Sequence, residues 1–262
     1  MRTLLMASTL VSLLIATPCI AESDNAFQES FTGGTEGWHV ARHRGTHPWF
    51  DTDWSADQVV MNKGLSLGLS PQIGQLKRFV GGSVRRLQTT GFGRYEAVMQ
   101  PARGAGLITG FFTYTGPHYG TRHDEIDIEF LGKDTTRIHL AIFVDGVLTN
   151  RFIDLGFDAA DAPHHYAFDW RPDVVRWYVD GQLLHEISAA DQPLPTIPGH
   201  VFANIWAADP EIAGWADLAD PDLSGVSQVF CLSFTPLADL GSSADTLPQK
   251  LTCREPAPQP SG

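Results

Sequence analysis

Basic residues are scarce in this chain. Lys and Arg together number 18 against 30 Asp and Glu, giving a formal net charge of −12. Nucleic acids and anionic membrane surfaces are bound through basic faces, so neither is an expected partner. No stretch holds a sustained apolar period of 3.6 residues, which predicts helices that are few and short. Beyond the N-terminus no segment is long and apolar enough to cross a bilayer, and no internal repeat is visible. Cysteine is nearly absent, with Cys19, Cys231 and Cys253 the only three.

What is present begins with a leader. Met1-Arg2 is a short positive start, Leu4 to Ala16 is apolar, and Cys19-Ile20-Ala21 sets a small residue before a cut. Residues 1–21 read as a secretory signal peptide, with Pro18 before Cys19 speaking against a lipoprotein. The mature protein is expected to be soluble, secreted or periplasmic, and a monomer. It keeps Cys231 and Cys253, and an even pair in an oxidising compartment is more often bridged than free. Residues 22–238 are long enough for one all-β domain with a single core. Residues 239–262 turn polar and end in Glu255-Pro256-Ala257-Pro258-Gln259-Pro260, a tail for Cys253 to tether.

Strand signals dominate from residue 91 onward. Runs rich in aromatic and β-branched residues are Phe92 to Met99, Leu107 to Tyr114, Glu125 to Leu131, Arg137 to Val144 and Tyr166 to Trp170. Val174 to Val179, Leu183 to Ile187, Val201 to Trp206 and Val226 to Phe234 follow. Asp145-Gly146 and Asp180-Gly181 are hairpin signals. The architecture these imply is two antiparallel sheets packed face to face. Residues 22–90 are looser and are expected to add the first strands and the loops that rim one face.

The informative segment is Glu125-Ile126-Asp127-Ile128-Glu129-Phe130. On a strand, side chains alternate between faces, so the three acids share one side while Ile126, Ile128 and Phe130 face the core. Three like charges on successive same-face positions repel, and nothing basic is interleaved. Cleavage of a glycosidic bond needs two carboxyl groups in different protonation states, and crowding supplies that split. The Cα atoms of Glu125 and Glu129 lie about 13 Å apart at about 3.3 Å per residue, which does not choose between retention and inversion. An ordinary half-exposed strand or a calcium site would also fit the bare pattern.

The segment resembles the signature of glycoside hydrolase family 16, in the form without an extra residue before the last Glu. Lichenases, xyloglucan endotransglycosylases and exopolysaccharide-trimming glycanases share that form. Further blocks in the same order are similar to lichenases: Gly110 to Pro117, Phe130 to Thr136, Leu155 to Ala159, Tyr166 to Trp170 and Trp177 to Gly181. The likeness spans residues 91–207, and the first 90 residues match poorly. The resemblance implies a concanavalin A-like β-jelly-roll sandwich with a carbohydrate cleft on its concave face. It also implies an endo-acting β-glucanase using a retaining double displacement, with Glu125 as nucleophile, Glu129 as general acid and base, and Asp127 as the assisting carboxylate. Mixed-linkage 1,3-1,4-β-glucan is the expected polysaccharide substrate. A succinoglycan-type depolymerase and a transglycosylase are the alternatives on the same fold, and a non-catalytic carbohydrate-binding sandwich is a third.

Sugar rings present flat C–H faces, so a glycan cleft needs aromatic platforms edged by polar groups. Asn204 and Trp206 match the Asn and Trp that lichenases place near the cleaved bond, while Tyr114 and Phe112 match further cleft positions. Arg85 aligns with a substrate-contacting Arg. His123 stands where lichenases commonly have Trp, Ser83 where they have Glu, and Ala141 and Phe143 where they have Asn and Tyr. These departures should alter which glucan fits. Trp170 and Trp177 belong to the core or the sheet surface. His39, His43 and His47 read as rim residues, because Gly45 and Pro48 interrupt a helix that would align them. The family often holds a structural calcium away from the cleft, but its C-terminal Asp is replaced near Val229. No cofactor and no catalytic metal are expected.

Overall fold

The computed structural model describes residues 26–240, which form two packed β-sheets. The expected leader, residues 1–21, lies outside the described residues, as do Cys253 and nearly all of the expected tail. One sheet has seven strands, numbered along the chain. They run in the order β12 (Val147–Asp154), β11 (Arg137–Val144), β10 (Asp124–Leu131), β9 (Leu107–Thr115), β16 (Gly199–Ala207), β7 (Ser83–Thr90) and β2 (Trp38–Val40). The other sheet has ten. Its path is β15 (Gln182–Ser188), β14 (Val174–Val179), β13 (His164–Trp170), β8 (Gly93–Gln100), β17 (Gly225–Pro236), β5 (Leu65–Pro71), β6 (Phe79–Gly81) and β3 (Thr52–Trp54). The short β1 (Phe27–Glu29) pairs with β17, and β4 (Val59–Met61) with β5. Pairing is antiparallel except between β3 and β6, which run parallel, so the ten-stranded sheet is mixed.

The all-β, two-sheet sandwich is therefore as expected, and among the described residues the α-helical content is one four-residue turn, Ala213–Ala216. No helix among them is long and apolar enough to cross a membrane. Both Asp-Gly pairs make tight hairpins, with Asp145 at φ 51° and Gly146 at 77°, and Asp180 at 46° and Gly181 at 82°. Two successive left-handed residues match the right-handed twist of the flanking strands. The first hairpin adds β12, whose Thr149-Asn150-Arg151 centre is too polar to announce a strand in the sequence. Residues 26–90 supply the first strands as expected, and five of the seven described there build the ten-stranded sheet.

The core lies between the sheets. Phe111, Ile126, Ile128 and Phe130 from one side meet Tyr95, Phe168, Trp170, Trp177 and Phe234 from the other. Ile126, Ile128 and Phe130 are fully buried, and each such side chain stabilises the fold by about 1.5–3 kcal/mol. Trp170 and Trp177 both belong to this core. Trp177 also donates its indole N–H to the backbone oxygen of Asp127 at 3.1 Å, which ties β14 to the middle of β10. Because alternate residues of β10 are locked inward, Glu125, Asp127 and Glu129 must point away from the core.

Candidate active site

Strand register places one row of side chains straight across the outward face of the seven-stranded sheet. It runs His39, Arg85, Phe202, Phe112, Asp127, Ala141 and Asn150. On one side of this row, toward one end of the strands, lie His200, Tyr114, Glu125 and Phe143. On the other side lie Asn204, Gly110, Glu129 and His139. Aromatic residues crowd both sides. Tyr119 packs on Tyr114 and His200 at 6.0 and 4.6 Å, and His123 stacks on Phe143 at 4.6 Å. Opposite, Phe50 packs on Trp206 at 4.6 Å, and Trp215 meets Trp206 at 6.0 Å and His139 at 5.4 Å. The result is a groove that crosses the strands, with Asp127 on its midline and Glu125 and Glu129 on opposite flanks.

Each flanking acid is held by an imidazole. His123 Nε2 hydrogen-bonds Glu125 Oε2 at 2.5 Å, and His139 Nδ1 hydrogen-bonds Glu129 Oε2 at 3.0 Å. His123 is itself fixed between Phe143 and the edge of Tyr114. His139 is fixed between Phe152 and Trp215 and is 4% exposed. Burial, followed by the charges of Glu125 and Glu129, pushes the Asp127 carboxyl well above the usual carboxylate range. Burial also raises Glu125, against the opposing hydrogen bond and charge of His123. Asp127 and Glu125 are neighbours on the same face of β10, which fits a protonated Asp127 beside an ionised Glu125.

The remaining expected cleft residues are on this face, though not all in the expected way. Tyr114, Phe112 and His123 are half-buried along the groove. Phe112 stacks on Phe202 at 5.0 Å with the rings 4° from parallel. Asn204 is buried beside the gap left by Gly110, where an added Cβ would stand 2.9 Å from its Oδ1. Among the described residues that amide oxygen has no hydrogen-bond partner, so a polar acceptor is free at the level of Glu129. Trp206 departs from expectation as a sugar platform. It is 4% exposed, covered by Phe50 and Trp215, so its loop neighbours present the aromatic surface there. Arg85 reaches the far end of the row beside His200. The three rim histidines His39, His43 and His47 are exposed, as expected. Among the described residues no cluster of three or more His, Cys, Asp or Glu side chains is arranged to hold a metal ion.

Residues 46–221 match the profile of glycosyl hydrolases family 16. The chain belongs to that family. It is similar to a beta-glucanase of Bacillus subtilis (strain 168), 41% identical over 206 residues that cover 78% of this chain and 84% of that protein. A beta-glucanase of Bacillus licheniformis is 40% identical over 209 residues, covering 79% and 85%. The solved structure of a Bacillus licheniformis beta-glucanase superposes with a TM-score of 0.76 at 36% identity, covering 81% of this chain and 99% of that one. A beta-1,3-1,4-glucanase (lichenase) from a mouse hindgut metagenome superposes at 0.77 with 31% identity and the same coverage. Membership of family 16 makes the chain a glycoside hydrolase on a jelly-roll sandwich.

Sequence reasoning missed His139, Phe202, Tyr119, Phe50 and Trp215. A signal existed for His139 alone, since pairing β10 with β11 sets it opposite Glu129. The other four reach the groove through strand order or loop folding, which no local pattern announces.

Proposed function

We propose that this family 16 enzyme cuts internal β-glycosidic bonds of a mixed-linkage 1,3-1,4-β-glucan by a retaining double displacement. The observation that carries the reading is the placement of Glu125 and Glu129 on opposite flanks of one groove, with Asp127 between them. A glycan lying across the strands meets one carboxyl from each side. Ionised Glu125 attacks the anomeric carbon while Glu129 gives its proton to the departing oxygen, so one C–O bond forms as the glycosidic bond breaks. Water then attacks the glycosyl-enzyme, Glu129 takes its proton, and the Glu125 carboxylate leaves. Asp127, kept protonated by its surroundings, donates to Glu125 and spares the midline a second negative charge.

Tyr114, Phe112 and His123 offer ring surface to the sugars, Asn204 and Arg85 polar contacts, and Trp206 backs the aromatic wall. An endo mode fits a row running from edge strand β2 to edge strand β12, with space for chain on both sides of the acids. Mixed linkage is supported by relatives named beta-glucanase and lichenase. Export, and a Cys231–Cys253 bridge formed in an oxidising compartment, follow from the leader-like first 21 residues. N-terminal sequencing of protein recovered outside the cytoplasm checks the cleavage point.

The test of function is reducing-end release from lichenan, laminarin, xyloglucan and agarose. Lichenan should be cut, and Glu125→Gln and Glu129→Gln should each lower the rate by about 10²–10⁴-fold or more without loss of fold. If only another glycan in the panel is cut, the mixed-linkage assignment fails. Binding with no cleavage of any of them sinks the enzymatic reading.

A further inference from the structure

In an acidic protein, Arg85 brings a cation with no acidic partner to the β7–β2 end of the groove. Arg85 lies on the groove row, and across the register its neighbours are His39 on β2 and Phe202 on β16. Among the described residues no carboxylate forms an ion pair with Arg85, nor with Arg42 or Arg44 in the loop after β2. By contrast, Arg78, Arg94, Arg103, Arg122, Arg137, Arg171 and Arg176 all have acidic partners. Arg85 is steadied by rings instead. Its Nη1 lies 3.3 Å from His200, and its guanidinium sits 5.6 Å from the Tyr119 ring centre. His200 Nδ1–H donates to the Arg86 backbone oxygen at 2.9 Å, which leaves the other ring nitrogen facing the guanidinium as an acceptor. Burial and the Arg85 charge hold both His200 and His39 below the ordinary histidine range, as an uncompensated cation would.

Along the row, then, the acid Asp127 is followed by the stacked pair Phe112 and Phe202, and then by Arg85. Three strand spacings separate Asp127 from Arg85, about 14 Å at about 4.8 Å each. A fixed guanidinium without a carboxylate partner keeps its donors and its charge for a ligand. An anionic group would be repelled at the three acids and attracted here. We propose that this end of the groove binds a carboxylate carried by the glycan, so that acid-bearing β-glucan is preferred over neutral chains. The proposal rests on the groove being the glycan site, as argued under the proposed function.

The experiment compares unmodified lichenan oligosaccharides with the same oligosaccharides oxidised at C6 to glucuronic acid. Affinity is read on Glu125→Gln, which needs no turnover, and kcat/KM on the otherwise unaltered enzyme. Loss of cleavage alone therefore counts against the proposed function, and loss of preference alone against this inference. The charged ligand should bind roughly tenfold to a hundredfold tighter. The advantage should shrink as salt rises from about 0.01 M to about 1 M, where the Debye length falls from about 30 Å to about 3 Å. Adding Arg85→Gln should remove most of the charged-to-neutral ratio, whereas Arg85→Lys should keep part of it. Circular dichroism confirms that each variant folds. A ratio near one in the parent, or a ratio that Arg85→Gln leaves unchanged, overturns the proposal.

Discussion

Fully or partly buried acids occupy the outward faces of both sheets, and the two sets differ in their partners. On the ten-stranded sheet, Asp169 takes two contacts from Arg94, at 2.5 and 2.8 Å, and Glu96 sits between His165 at 3.0 Å and Ser233 at 3.1 Å. These side chains are at most 2% exposed. In the groove, Glu125, Asp127 and Glu129 have two imidazoles between them and neither Lys nor Arg. The first set is neutralised by matched donors. The second has no such cation: burial first, and the neighbouring carboxylates after it, raise Asp127 and Glu125, which lets the set divide into protonated and ionised members. Burial alone thus does not distinguish a structural acid from a reactive one; the partner does.

The largest effect should come from breaking the matched set. Asp169→Asn leaves the Arg94 guanidinium buried without a counter-charge, which costs about 3–5 kcal/mol. Denaturant unfolding would register this, while glycan cleavage per folded molecule stays the same. An unchanged unfolding midpoint would erase the contrast between the two faces.

Asp127→Asn should act in the opposite sense on stability. The folded protein holds the Asp127 proton to a higher pH than the unfolded chain, whose Asp ionises near about 3.9. The stability this contributes is present below that value and is lost as pH rises toward the raised folded value. At neutral pH a neutral isostere should therefore melt higher, by about 2–4 °C for each kcal/mol relieved, while cleavage falls. Thermal melts from about pH 4 to about pH 7 should show the gain growing; a lower Tm at neutral pH would mean that Asp127 is a structural acid after all.

The smallest change expected is kinetic. His123 holds the Glu125 carboxylate down against burial, so His123→Gln should raise the Glu125 pKa. Since Glu125 must be ionised to attack, the acid limb of the kcat/KM profile should move upward by roughly one pH unit or less. An acid limb that stays put would show that the imidazole only fills space.

Much of the site was legible in the alternation of residues 125–130, because a strand has a period of two and the inward residues are Ile, Ile and Phe. Both Asp-Gly hairpins were legible for the same local reason. Trp206 misled, since its position on the groove face is right but Phe50 and the Trp215 turn fold over it. Phe202 stayed invisible because its stacking partner Phe112 is distant in the chain, and Tyr119 because it reaches Arg85 and His200 only in the folded sheet.

By itself the sequence determined that three acids share one face of one strand, that the chain is all-β, and which family its motifs resemble. The tertiary structure decided the rest. Only the order β10, β9, β16, β7, β2 brings Asp127, Phe112, Phe202, Arg85 and His39 into one row. Only the packed loops enclose that row as a groove. The physical reason is that face alternation follows from backbone geometry within a few residues, whereas strand order and register are fixed by which distant apolar faces close the core.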